Sequence, residues 1–364
     1  MKKRILNWGW YGFNNFGDDL LLRTMIDNIN SPENDVLVTM NEEYFLEDVN
    51  EISRSYRQLF SLHRYCDAII IGPGGLFPFD NPFKVFVYYL ITILWKFHKK
   101  KVLYFGIGIS EEMNVLSSIL WQRIIAKSDL FITRNKPFLK RLKVEEDDKC
   151  FDMADVAFAS NVFKGTANNC GSASQKTIGI SVANLGGDEV QEEANLNVWI
   201  LICKSLVNMG YNIDLLAFTK GKDDKLIDDI SKRVSTGIRT IHYEDLHIAI
   251  DQWMEYDAVI CMRFHSLVIS ILAGVPVLPI AYGHKTIHLA EECGLKDYLL
   301  YWNNMEKKYF GRNENVSPEK VIETMSRVID DSERIKQSIT SKREELVGSA
   351  NEAFRILKEE LDNI

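Results

Sequence analysis

The chain has 364 residues, more than one hydrophobic core usually supports, so two domains of roughly 150 to 180 residues each are expected. Apolar residues make up 46% and charged residues 26% of it, a balance that excludes a disordered chain. A formal net charge of −8 argues against a nucleic acid partner, whose affinity would come from Lys and Arg neutralising phosphates, but leaves room for a small anion held by a few local arginines.

The chain opens on MKKRILNWGW. The basic start is that of a signal peptide, but Asn7, Gly9 and the following Asn-rich turn interrupt the apolar stretch that a signal needs, so a cytoplasmic location is expected. Short β-rich runs then alternate with helical patterns, which predicts βα units around mostly parallel sheets. A first series gives strands at Arg4–Trp8, Asp35–Met40, Asp67–Ile71, Lys101–Phe105 and Asp129–Thr133. The first helix is marked by Leu22, Met25, Ile26 and Ile29 at helical spacing. Val85–Trp95 is almost continuously apolar and is followed by KFHKKK. It is too short to span a bilayer. It reads either as a helix packed on a sheet or, through Tyr88, Tyr89, Trp95 and the lysines, as a membrane-surface helix giving peripheral contact over 83–101 at the inner face.

Asn161–Gln175, poor in apolar residues, reads as the linker. A second series follows at Thr177–Val182, Tyr211–Phe218, Thr240–Tyr243, Asp257–Cys261 and Val275–Ile280. Ser317-Pro318-Glu319 signals a helix start, and a last amphipathic helix places Ile335, Ile339, Leu346, Ala350, Ala353, Phe354, Leu357 and Leu361 on one stripe. The expected division is an N-terminal α/β domain over 1–165, a C-terminal α/β domain over 176–330, and a C-terminal helix over 331–364. Two doubly wound Rossmann-like domains would leave a cleft at the carboxyl ends of their strands, where ligands of open α/β sheets bind.

The motifs fall just after strands. W-G-W-Y-G-F-N-N-F-G-D-D (Trp8–Asp19) joins the first strand to the first helix. Asn14, Asn15, Gly17 and Asp18 there could receive an anion or sugar hydroxyl at the helix start, or simply cap it. Its glycines lack dinucleotide-site spacing. G-P-G-G-L-F (Gly72–Phe77) supplies Gly74 and Gly75, and F-G-I-G-I-S (Phe105–Ser110) supplies Gly108. Both are read as glycine turns that let a ligand approach the backbone, with a structural turn as the alternative.

In D-L-F-I-T-R-N, Arg134 follows its strand directly, either as a solvated residue or on the same rim as the glycines. D-A-V-I-C-M-R-F-H-S (Asp257–Ser266) ends in Arg263 and His265, a fixed cation beside a titratable imidazole, which suits an anionic substrate that needs a proton transfer. The alternative is a helix-start histidine bonded to backbone. A-G-V-P-V-L-P-I-A-Y-G-H-K adds Lys285, either a second cation on this rim or a solvated lysine. The six cysteines are scattered without C-x-x-C, so a reducing compartment is expected and no metal site. No P-loop, catalytic serine spacing or H-E-x-x-H occurs.

Taken in order, G-F-N-N-F-G-D-D, D-A-I-I-I-G-P-G-G-L, Y-F-G-I-G-I, I-T-R-N, M-R-F-H-S and G-V-P…Y-G-H-K resemble the polysaccharide pyruvyl transferase family. The resemblance implies a GT-B-like fold, phosphoenolpyruvate as donor without a further cofactor, and a glycan acceptor, free or lipid-linked. It assigns catalysis to His265, Arg263 and Arg134; substrate contacts are expected, from the strand-end motifs themselves, at Asn14, Asn15, Gly17, Asp18, Gly74, Gly75, Gly108 and Lys285. The family often has R-L-H where this chain has Arg263-Phe264-His265, and R-D where it has Arg134-Asn135, a change in how that arginine is held. The expected chemistry has both arginines gripping the donor while His265 protonates its methylene carbon. The rival readings are a nucleotide-sugar glycosyltransferase, with Arg263 and Lys285 on a diphosphate, and a non-catalytic glycan-binding protein.

Overall fold

The computed structural model of the protein describes residues 2–41, 49–77, 80–109, 113–134, 136–163, 176–234, 236–302 and 316–364. It divides into two compact units, one of Met1–Phe13, Asp18–Ser160 and Leu346–Ile364, the other of Asn14–Gly17 and Asn161–Glu345. Compared with the expected division, four residues of the Asn-rich turn belong with the second unit, and the final helix is shared instead of forming a segment of its own. Most of the expected linker, 164–175, lies outside the described residues.

In the first unit, strands β1 (Lys3–Tyr11), β2 (Asn34–Met40), β3 (Asn50–Ser53), β4 (Ala68–Ile71), β5 (Gly74–Phe77), β6 (Lys101–Ile109), β7 (Leu130–Thr133) and β8 (Cys150–Asp152) form one parallel sheet. Its order is β3-β2-β1-β4-β6-β7-β8, with β5 also on β6. The order reverses direction at β1/β4. Strands of such sheets are covered on both faces, which is why β4 reads Ala-Ile-Ile-Ile and is buried throughout.

One face is packed by α2 (Tyr56–Ser61), α3 (Pro82–Phe97), α4 (Val115–Lys127) and α5 (Lys136–Leu142), whose Leu59, Tyr88, Ile91, Trp95, Trp121 and Phe138 share a core with Leu6, Trp8, Ile69 and Phe131. On the other face, α1 (Phe16–Ile29) buries Leu21, Leu22 and Met25, and Phe354 meets Phe105 at 4.9 Å between ring centroids. Tyr88 and Trp95 are fully buried and hydrogen-bonded, Tyr88 accepting from the Trp8 indole at 2.8 Å and Trp95 donating to the Leu59 carbonyl at 2.8 Å. The sheet-packed reading of Val85–Trp95 therefore holds for these two rings.

F-G-I-G-I-S is not a turn after a strand, because β6 continues through Gly106 and Gly108 to Ile109. Likewise Gly74–Phe77 is a short strand on β6. Glycine is a weak strand former, so β5 and the far half of β6 read as turns, although Phe105, Ile107 and Ile109 alternate with glycine at strand spacing. The edge strands β3 and β8 are too short and polar to have given a periodic signal.

In the second unit, β9 (Thr177–Ser181), β10 (Asn212–Leu216), β11 (Ile238–Ile241), β12 (Ala258–Cys261), β13 (Val277–Ala281) and β14 (Leu300–Tyr301) form a parallel sheet of order β11-β10-β9-β12-β13-β14. It carries α6 (Glu189–Asn208), α7 (Lys222–Val234), α8 (Leu246–Ala249), α9 (Phe264–Ala273), α10 (His284–Glu292) and α11 (Pro318–Asp330). β11 begins two residues before the expected strand, and Tyr243 instead opens a 3₁₀ turn. The Ser317 side chain caps α11 by accepting from the Lys320 N–H at 3.2 Å. Helix α12 (Ser332–Asp362) buries the whole stripe expected of it. No described helix is long and apolar enough to cross a membrane.

Candidate active site

The second sheet reverses its order between β9 and β12, the position at which open α/β sheets leave a crevice beyond the carboxyl ends of their strands. Arg263 and His265 stand there. β12 ends at Cys261, Arg263 is the extended N-cap of α9 (φ −72°, ψ 134°), and His265 occupies its first turn. The Ser266 hydroxyl donates to the Arg263 carbonyl at 2.6 Å, and Gly274 closes the helix in the left-handed conformation at φ 71°.

The Arg263 guanidinium is gripped side-on by Asp223 in the first turn of α7, with Nε donating to Oδ2 at 2.9 Å and Nη2 to Oδ1 at 2.5 Å. Asp223 is wholly buried and also accepts from the backbone N–H groups of Asn184 and Thr219, each at 3.0 Å. Four hydrogen bonds thus fix the carboxylate, and through it the arginine. Burial works against the Arg263 charge, but the Tyr282 phenol and Asp223 outweigh it and its pKa is raised. Two of the five guanidinium N–H donors go to Asp223 and Tyr282 engages the group as well, so what remains for a ligand is small in number and fixed in direction.

His265 is 8% exposed. A Cβ on Gly17 would overlap the imidazole at Nδ1, so only glycine allows this approach. The segment Asn14–Gly17 is tied to the end of β10: Phe16 N–H donates to the Phe218 carbonyl at 2.9 Å, Lys220 N–H donates to the Asn14 carbonyl at 3.0 Å, and Asn15 forms a bridge with Thr219. Asn15 Oδ1 accepts from the Gly17 N–H at 3.0 Å, the capping role that was the alternative for this residue. Lys285 Nζ lies 4.9 Å from the Phe264 ring centroid. The second unit therefore brings Gly17 against His265, with Arg263 two residues before it in the chain, and places Lys285 on the ring of Phe264 between those two.

In the first unit, Arg134 follows β7 directly, its N–H donating to the Ile107 carbonyl at 3.3 Å. Its side chain is buried and ion-paired through Nη1 with Asp155 Oδ2, and Asp155 Oδ1 accepts from the Ala157 N–H at 2.9 Å. The guanidinium lies over two glycines: a Cβ on Gly108 would come within 3.1 Å of Nε, and one on Gly75 within 3.9 Å of Nη2. A Cβ on Gly74 would sit 3.7 Å from Asp18 Oδ1. Burial pushes Arg134 down to about 10 against the opposing charge of Asp18, which leaves it cationic at neutral pH. Gly75 and Gly108 thus lie at Arg134, but from within strands and not as the expected turns.

Three residues of these arrangements escaped the sequence reading. Asp155 stands in M-A-D-V just beyond β8, Asp223 in K-G-K-D-D beyond β10, and Tyr282 directly after β13. Each follows a strand, which was the available signal, but nothing local tells an acid that will be buried from a solvated one. Among the described residues no group of three or more His, Cys, Asp or Glu is placed to hold a metal ion.

A family model for polysaccharide pyruvyl transferase matches residues 15–284, a span containing Arg134, Arg263 and His265. No curated protein sequence matches the chain. Solved structures similar to it include a glycosyltransferase from Rickettsia africae ESF-5 (11% identity, 100% of this chain and 98% of that one, TM-score 0.63). A UDP-N-acetylglucosamine 2-epimerase from Rickettsia bellii is comparable (13% identity, 100% and 98%, TM-score 0.62). So is a UDP-GlcNAc 2-epimerase from Methanocaldococcus jannaschii, solved with UDP-GlcNAc and UDP (10% identity, 91% and 93%, TM-score 0.57). At such identities the likeness concerns the fold alone: a two-domain Rossmann-like α/β architecture of the GT-B kind.

Proposed function

The chain belongs to the polysaccharide pyruvyl transferase family, and from that premise we propose that it moves pyruvate from phosphoenolpyruvate onto a hydroxyl pair of one sugar residue, in a surface polysaccharide of bacterial type or its lipid-linked precursor. The observation that carries the reading is the buried imidazole of His265 in the helical turn that Arg263 caps, with Arg263 held rigidly by Asp223. A pyruvyl transfer of this kind needs a fixed cation for an anionic donor and one group that moves a proton.

In the proposed reaction the imidazolium of His265 delivers its proton to the methylene carbon of the donor as a sugar hydroxyl oxygen bonds to the adjacent carbon. The hydroxyl proton returns to the neutral imidazole. The carbon–oxygen bond to phosphate then breaks, the electron pair leaving with phosphate, and the second hydroxyl adds to the resulting oxocarbenium centre and gives its proton to the departing phosphate. The products are a cyclic ketal and inorganic phosphate. The guanidinium donors of Arg263 not taken by Asp223 serve the donor's anionic oxygens.

The test is phosphate release from phosphoenolpyruvate with candidate glycans, together with mass spectrometry for the added pyruvate. The proposal expects both signals from the wild-type protein and a loss of about a hundredfold or more in turnover for His265→Ala. Near wild-type turnover in that variant sinks the assignment of His265, whereas thermal stabilisation by a nucleotide sugar with no response to phosphoenolpyruvate sinks the donor.

A further inference from the structure

The first unit bears a surface whose composition departs from that of an acidic chain. Along α3, Phe83, Phe86, Leu90, Ile93 and Phe97 are exposed. Their alternating spacing of three and four residues keeps them on one stripe, opposite the buried Val85, Tyr88, Ile91 and Trp95. Helix α4, packed beside α3, continues the surface with exposed Val115, Leu116 and Ile119. Phe97 and Val115 are 81% and 77% exposed, so neither is partly sheltered by its own fold. A contiguous exposed apolar face of this kind marks an interaction surface.

Charge decides what covers it. The stretches 56–66, 82–101 and 114–128, which hold α2, α3 and α4, contain no Asp or Glu in a protein whose net charge is −8. Their cations remain. Lys96, Lys100 and Lys101 are paired with Asp129, Asp67 and Glu360, but Arg57, Arg64, Lys99, Arg123 and Lys127 are exposed and enter no ion pair among the described residues. An apolar stripe on helices that carry free cations and no acid of their own, with Asp80 at their start and Asp67 and Asp129 beside them, fits an anionic bilayer, with aromatic and aliphatic side chains at the acyl boundary and lysines and arginines at lipid phosphates. A second copy of the chain fits poorly, because a twofold interface would set these cations against each other.

We propose that the α3–α4 face docks the protein on an anionic lipid bilayer, with α3 lying in the plane of the interface and the stripe from Phe83 to Phe97 entering it. The inference rests on surface composition and stands apart from the donor and acceptor chemistry proposed above. It replaces the expectation that Tyr88 and Trp95 make the contact, since both are core residues.

The experiment is co-sedimentation of the full chain, without donor or acceptor, with phosphatidylcholine vesicles with and without phosphatidylglycerol. Binding is expected to the phosphatidylglycerol vesicles and to weaken as salt is raised. The variants F86S/L90S/F97S and K99E/R123E/K127E, all at exposed positions, are each expected to keep the wild-type melting temperature and to bind about tenfold more weakly or less. The proposal fails if the wild type ignores both vesicles or binds both equally. It also fails if the charge-reversed variant binds as well as wild type, or if light scattering shows a dimer that F86S/L90S/F97S dissociates.

Discussion

Arg134 and Arg263 occupy equivalent places, each just past a parallel strand and each bound to a buried carboxylate, yet the two units hold them differently. Arg134 lies flat over Gly75 and Gly108, and burial pushes its pKa down to about 10. Arg263 caps a helix, is held side-on by an aspartate that four hydrogen bonds immobilise, and has a raised pKa. Both have a carboxylate partner, but Arg134 also lies where glycines leave room for it, whereas the partner of Arg263 is itself fixed by four hydrogen bonds. Similar sequence patterns after a strand therefore give cations that differ in how tightly their direction is set. Arg263 is the one two residues from the imidazole in the chain.

The sharpest test of that contrast is Arg263→Lys against Arg134→Lys. A lysine cannot reproduce the two-point contact with Asp223, so turnover should fall about a hundredfold at Arg263, with a smaller loss at Arg134, in steady-state phosphate release. Equal losses would erase the distinction. Next in size, Asp223→Ala strands a buried guanidinium and two backbone donors, and should cost about 3–5 kcal/mol in denaturant unfolding. Asp155→Ala removes the ion-pair partner of Arg134 and should cost stability too, but less, because Asp155 accepts a single backbone N–H besides the arginine.

Gly17→Ala forces a Cβ into the His265 ring and should lower turnover by about tenfold or more. The smallest effect belongs to Gly108→Ala. Its Cβ would meet Arg134 Nε at 3.1 Å, a clash the guanidinium can relieve by a few tenths of an ångström, so turnover should fall less than at Gly17. The reverse ranking of the two glycines would show that Arg134 has the tighter geometry.

Much of the fold was legible. All ten expected strands are present, because β-rich apolar runs such as Ala-Ile-Ile-Ile and Ala-Val-Ile-Cys are what a parallel sheet covered on both faces selects. The stripe of α12 was legible because a 31-residue helix repeats its period many times. Gly74–Phe77 and the far half of β6 were not, since there the sheet recruits glycines by pairing with neighbours and not by propensity. On the site side, Arg263, His265 and Arg134 could be singled out because charged residues directly after apolar runs stand out. Asp155 and Asp223 did not, being ordinary loop or helix-start residues until the fold buries them, and neither did Tyr282, a strand-end residue until the fold sets its phenol against Arg263.

What the sequence determined by itself was the alternation of strands and helices, the placement of arginines and an imidazole at strand ends, and an apolar run too short to cross a membrane. These follow from local periodicity and from chain order, both written in neighbouring residues. Tertiary structure alone decided which carboxylate neutralises which arginine, which glycine admits the imidazole, and which side of α3 stays exposed. Those outcomes depend on contacts such as Asp223 with Arg263, 40 residues apart in the chain, and no local pattern encodes a contact over that distance.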